Sequence, residues 1–209
     1  MESVTPELLN YIENNIIPVY SKNEFGHGIE HVRYVIGRSF ELIDGLDVDS
    51  NMVYVVAAYH DIGHHIDAKN HEAESAAIMA RDDNFKKFFD NEQLITIKQA
   101  IEDHRSSSRN HPRSIYGQII VSADKNTSIE QSIGRAYSYS VSHNPRFSAD
   151  EHYVETLRHI INKFGKSGYG KSYINDEKYL NFLADIQDII EDESKFVAKY
   201  KDVVSNLDL

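Results

Sequence analysis

The chain has 209 residues and 24.0 kDa, enough for one sizeable domain burying roughly 70% of the unfolded surface, so a single domain over 1–209 is expected. It holds no cysteine, which excludes disulfide scaffolds, iron–sulfur clusters and thiolate zinc sites and leaves any metal to His, Asp and Glu. A net charge of −11 argues against a nucleic-acid polymer as partner and for small ligands, and apolar runs that stop within about eight residues cannot span a bilayer.

Apolar residues recur at three- and four-residue spacing along most of the chain, and alternating strand patterns are absent, so the expected fold is all-α. The first segment, about 5–20, opens on MESVTPELLNYIENN, which lacks the basic-then-apolar pattern of a secretory signal, so a cytoplasmic location is expected. Helices follow at about 27–44, 51–63, 71–82, 91–105, 114–125, 128–141, 149–165 and 177–205, the last broken near Asp192. Asn70 and Asp90 read as N-caps, Asp90 with Gln93 as a capping box. A core over about 26–142 would carry the C-terminal helices 149–209 packed on it. Gly165–Ser172, rich in Gly and Lys, reads as a mobile loop.

In the helix at 27–44, His31 borders the apolar face, in line with Val35 and Leu42, whereas His27 falls nearer the helix start and is expected on the surface. The helix at 51–63 is apolar nearly all round, marking it as central, and it ends in His60 and Asp61. A buried imidazole and carboxylate side by side cost several kcal/mol unless compensated, either by a mutual hydrogen bond or by a cation. His64 lies one turn past His60 and faces the same way; His65 does not. Asp124 closes another apolar run and shares a face with Tyr116 and Ile120. Leu94, Ile97, Ile101 and His104 descend one helix face, and His71 starts its own helix. Nitrogen and oxygen donors of this kind suit Mn²⁺, Fe²⁺, Co²⁺, Mg²⁺ or Zn²⁺.

The segments GHGIEH at 26–31, AYHDIGH at 58–64 and VSADK at 121–125 together resemble the HD-domain superfamily of metal-dependent phosphohydrolases, whose signature is a His, a later His-Asp pair and a distant Asp. The resemblance implies an all-helical bundle with a metal in a central cleft, held by His31, His60, Asp61 and Asp124. It also implies hydrolysis of a phosphoester or phosphoanhydride of a small molecule, a nucleotide foremost, with Asp61 or His64 moving the proton. Where some single-metal members carry a glutamate three residues after the metal-binding Asp, this chain has His64. Members with two metals have extra histidines after the His-Asp pair, a place that His71 and His104 fill, so one or two divalent ions are expected. A di-iron oxygenase of the same fold and a non-catalytic nucleotide-sensing module are the alternatives.

Arg105, Arg109 and Arg113 follow His104 with no acid before Asp124 in the sequence, a local cationic stretch suited to an anionic substrate. Lys125 and Arg135 are further phosphate-binding candidates; in one branch of the superfamily the Asp is also followed by a basic residue and then by a helix that resembles SIGRAY here. GKSGYGKS at 165–172 satisfies the phosphate-loop pattern, but it follows an amphipathic helix rather than a strand, so it is not read as a nucleotide site. Substrate identity, the physiological metal and the existence of a homo-oligomer are left open.

Overall fold

The structure is a computed structural model describing residues 4–24, 26–105 and 110–207. It is all-α, with no strand among the described residues. In chain order the helices are α1 (Pro6–Asn15), α2 (Ile29–Leu42), α3 (Ser50–Tyr59), α4 (His71–Ala80), α5 (Asn91–Asp103), α6 (Ile115–Ala123), α7 (Ile129–His143), α8 (Ala149–Phe164), α9 (Glu177–Glu191) and α10 (Glu193–Ser205), with 3-10 turns at Ile17–Lys22 and Asp83–Lys87.

The expected helices are present, and their ends have identifiable causes. The segment expected at 5–20 stops at Asn15 and continues as the 3-10 turn, because Pro18 has no N–H to bond back into an α-helix. Asp90 and Gln93 form the expected capping box, and Asp192 both ends α9 and caps α10, accepting from the N–H groups of Ser194 and Lys195. Asn70 occupies the N-cap position of α4 but makes no cap hydrogen bond. Its amide instead donates to Asp67 Oδ2 at 2.8 Å, within the turn before the helix.

The chain groups into two compact units, Met1–Asp124 with Ser172–Asn175, and Lys125–Lys171 with Asp176–Leu209. In the first, every residue of α3 from Met52 to Tyr59 is buried, with α1, α2, α4, α5 and α6 packed around it. That is why its sequence lacks a polar face. In the second, α7, α8, α9 and α10 enclose a core of Ile133, Ile160, Phe164, Tyr179, Phe182, Ile186 and Phe196. Thus α7 groups with α8–α10.

Candidate metal centre

α3 ends at Tyr59, so His60 and Asp61 stand at its exit rather than on the helix proper. The turn that carries them is tied down from two sides. The buried Tyr20 hydroxyl donates to Ala58 O at 2.9 Å and accepts from Asp61 N–H at 3.2 Å. Asn23 donates to the carbonyls of His27 and Asp61 at 2.9 and 3.0 Å and accepts from His65 N–H at 3.1 Å. Gly63 then lets α4 approach: a Cβ there would lie 2.7 Å from Ser75 N and 2.8 Å from Glu74 Cβ, and the Gly63 N–H donates to Ser75 Oγ at 3.0 Å. This close packing sets the start of α4, and hence His71, beside Asp61.

Asp61 is 2% exposed, and its two oxygens face different groups. Oδ2 lies 3.5 Å from both His31 Nε2 and His60 Nε2, and His31 Nε2 is 3.2 Å from Asp124 Oδ1 and 3.1 Å from His60 Nε2. Oδ1 lies 3.3 Å from His71 Nε2 and 3.2 Å from His104 Nε2, which are themselves 3.1 Å apart. The residues expected to hold a metal, His31, His60, Asp61 and Asp124, therefore converge, and so do His71 and His104 on the other side of the same carboxylate. In each of the groups His31–His60–Asp124, Asp61–His71–His104 and His27–His31–Asp61, one ligand atom per residue lies within 4.8 Å of the others.

The tautomers follow from the backbone. The Nδ1 atoms of His60, His71 and His104 donate to the carbonyls of Ala57, Ala68 and Ile101, three residues earlier, at 2.8, 3.0 and 2.7 Å. In the neutral rings Nε2 is then an unprotonated donor atom turned inward, the arrangement that orients metal-binding histidines. Asp61 Oδ1 is buried and makes no hydrogen bond. Two nitrogen lone pairs and a carboxylate oxygen at 3.1–3.3 Å repel one another unless a positive charge stands among them. Ligand atoms about 2.1 Å from a shared ion lie about 3.0 Å apart at right angles and about 3.4 Å apart at the tetrahedral angle. The observed triangle falls between these values, so the residues fit a divalent cation.

Electrostatics point the same way. Burial opposes charge on His31, but Asp124 and Asp61 outweigh it and lift the imidazole to about 9. Asp124 is pushed up by burial and pulled down more strongly by His31, to about 2. His104 is likewise raised against its burial by Asp61, so the carboxylate draws positive charge to the point a metal would take. His71 and His64 are lowered, first by burial and then by neighbouring histidines, and stay neutral near pH 7.

His27 corrects the sequence reading. Expected on the surface, it places Nδ1 2.6 Å from Asp61 Oδ2 and stacks on the His64 ring with centroids 4.0 Å apart. α2 begins at Ile29, so His27 sits in the turn before it and a helical wheel could not aim its ring. Its place one turn before His31 was the only signal. His64 faces the site as expected, its Nδ1 buried without a hydrogen-bond partner, and His65 is exposed.

Arg105 and Arg113 are not a cationic patch. Arg105 donates to Lys69 O at 2.7 Å and to Glu72 Oε1 at 3.0 Å, and Arg113 is paired with Asp103 and Glu102, at 2.8 Å each. Glu72 comes from α4, remote in sequence, whereas Glu102 and Asp103 end α5 just ahead of the arginine stretch. Arg109 lies outside the described residues. In the second unit, Lys125 is buried, donates to the Lys171 carbonyl and lies over the Tyr179 ring, its Nζ 5.1 Å from the centroid. The glycine-rich loop forms no phosphate cradle: Tyr169 and Gly170 N–H groups return to the carbonyls of Asn162 and Lys163, and no helix starts before Glu177.

No helix among the described residues is long and apolar enough to cross a membrane. No curated protein and no solved structure matches the chain. Residues 28–128 match the family model of the HD domain, a span that includes His31, His60, Asp61, His71, His104 and Asp124, so this segment is similar to the HD-domain superfamily.

Proposed function

We propose that this protein is a metal-dependent phosphohydrolase that cleaves a phosphoester or phosphoanhydride of a small molecule, a nucleotide foremost, with two divalent cations. The observation that carries the reading is that the two oxygens of one buried carboxylate, Asp61, each face their own set of histidine nitrogens. His31, His60, Asp61 and Asp124 would hold one ion, and Asp61, His71 and His104 the other, with Mn²⁺, Co²⁺, Mg²⁺, Fe²⁺ and Zn²⁺ all compatible with these donors. When bound, such ions polarise a phosphoryl oxygen and lower the pKa of a water.

The chain's own groups do the rest. The backbone carbonyls of Ala57, Ala68 and Ile101 keep three Nε2 atoms directed inward. His27 fixes Asp61 Oδ2. His64, neutral at neutral pH with an unpartnered buried Nδ1, is placed to exchange a proton with substrate or leaving group or to contact its phosphate. Arg105 reaches a phosphate only by exchanging it for Glu72. A net charge of −11 favours small phosphorylated substrates over polymers, in a cytoplasmic setting.

The paired histidine sets also suit the di-iron oxygenase alternative, and one experiment separates the two. Metal-stripped protein resupplied with each ion in turn is assayed for phosphate release from nucleotides and small phosphoesters, with Asp61→Ala as control. Metal-dependent release absent from the variant supports the hydrolase. Silence with every metal, together with oxygen uptake in Fe²⁺, supports the oxygenase.

A further inference from the structure

A cleft of about 190 Å³ lies inside the second unit, lined by residues of α7 and α8 and by Asn126, with Arg135, His159 and Lys163 among its walls and no acidic residue. Its volume is below the roughly 300–1,000 Å³ of pockets that enclose drug-sized ligands, so it matches one end of a molecule or a small anion. Two of its polar groups are unsatisfied. Ser132 is 8% exposed and its Oγ has no hydrogen-bond partner. Asn126 accepts the Ser128 N–H on Oδ1 at 2.8 Å, which orients the amide and leaves a buried Nδ2 with no partner. A buried donor without a partner destabilises the fold, so a pair of them on one cleft calls for an acceptor.

The third donor is the Arg135 guanidinium, exposed and without an ion pair or hydrogen bond among the described residues. Its position is unlike that of Arg105, Arg113 and Arg158, which all pair with carboxylates. Lys163 adds a second positive charge from α8. A tetrahedral oxyanion presents acceptors in enough directions for a guanidinium fork, an amide N–H and a hydroxyl together.

We propose that this cleft is a phosphoryl-binding site formed by Arg135, Lys163, Ser132 and Asn126. The ligand is inorganic phosphate or pyrophosphate, or the phosphoryl end of a nucleotide. The proposal holds whether or not the metal centre hydrolyses phosphate, because binding here needs no metal.

The test is calorimetric titration of the full chain, stripped of metal with chelator and then freed of it, with inorganic phosphate, pyrophosphate and AMP in separate runs. Saturable binding by at least one of the three is expected, weakened about tenfold or more in Arg135→Gln and further in Arg135→Gln with Lys163→Gln, the loss of charge-assisted hydrogen bonds. Arg135 is exposed, so the single variant keeps its fold, checked by circular dichroism. Binding of phosphate or pyrophosphate with no gain for AMP identifies the free anion as ligand, and tighter binding of AMP identifies the nucleotide end. Absence of binding by all three at millimolar concentration, or equal binding by wild type and both variants, overturns the proposal.

Discussion

His71 Nε2 stands 3.1 Å from His104 Nε2, although the two residues open and close different helices and each spends its other ring nitrogen on its own backbone. Both nitrogens then face Asp61 Oδ1 with nothing between them to donate a proton in the neutral state. Such a contact makes sense as half of a coordination sphere, and it yields the first prediction. Wild-type protein should bind two equivalents of Mn²⁺ or Co²⁺ by metal analysis after desalting. His104→Ala should keep one, and Asp61→Ala should keep neither firmly. Equal stoichiometry in all three would contradict the shared role of Asp61.

Removing the ions should cost stability. A ligand at 100 times its dissociation constant stabilises a fold by about 2.7 kcal/mol, and in a chain of this size each kcal/mol moves the thermal midpoint by roughly 2–4 °C. Scanning fluorimetry should therefore show a rise of roughly 5–10 °C on metal addition to stripped protein, reversed by chelator. His31→Ala should show a smaller rise.

Gly63 is where α4 meets the His-Asp turn, and a methyl group there would meet the Ser75 backbone nitrogen at 2.7 Å. Overpacking against backbone costs about 1–3 kcal/mol. Gly63→Ala should lower the thermal midpoint and, because α4 carries His71, bind the second metal equivalent more weakly than the first. A variant that loses stability while keeping both equivalents would show that α4 can shift without moving His71.

Asp82 is a site of pH-dependent stability away from the metal centre. Burial pushes its carboxyl up, but the hydroxyls of Tyr11 and Tyr59, donating to Oδ2 at 2.6 and 2.7 Å, hold it below the ordinary value. A depressed folded-state pKa stabilises above the unfolded value of about 3.9 and is lost as pH falls through the folded one. Asp82→Asn should thus melt below wild type at neutral pH, and the gap should narrow on acidification to about pH 3. Asp82→Ala, which strands the buried Tyr59 hydroxyl, should cost about 2 kcal/mol by denaturant unfolding.

Apolar periodicity made much of this legible. It pointed His104 and Asp124 inward because they follow helices whose apolar faces are plain in the sequence, and the all-apolar run of α3 marked His60 as central. His27 escaped because it precedes α2, where no wheel applies. Tyr20 and Asn23 escaped because a buried tyrosine and a turn asparagine look alike whether or not they brace a functional turn. Arg105 misled because its partner Glu72 is distant in sequence, and Arg113 because its partners Glu102 and Asp103 lie just ahead of the stretch, on α5. The division after Asp124 carries no glycine or proline signal, and only the assembled core of α7–α10 reveals it.

The most direct measurement is an anomalous difference map from crystals grown with Mn²⁺. Two peaks are expected flanking Asp61, about 3.5–4 Å apart as in two-metal sites, one reached by His31, His60 and Asp124 and the other by His71 and His104. A single peak, or peaks that Asp61 does not touch, would contradict this.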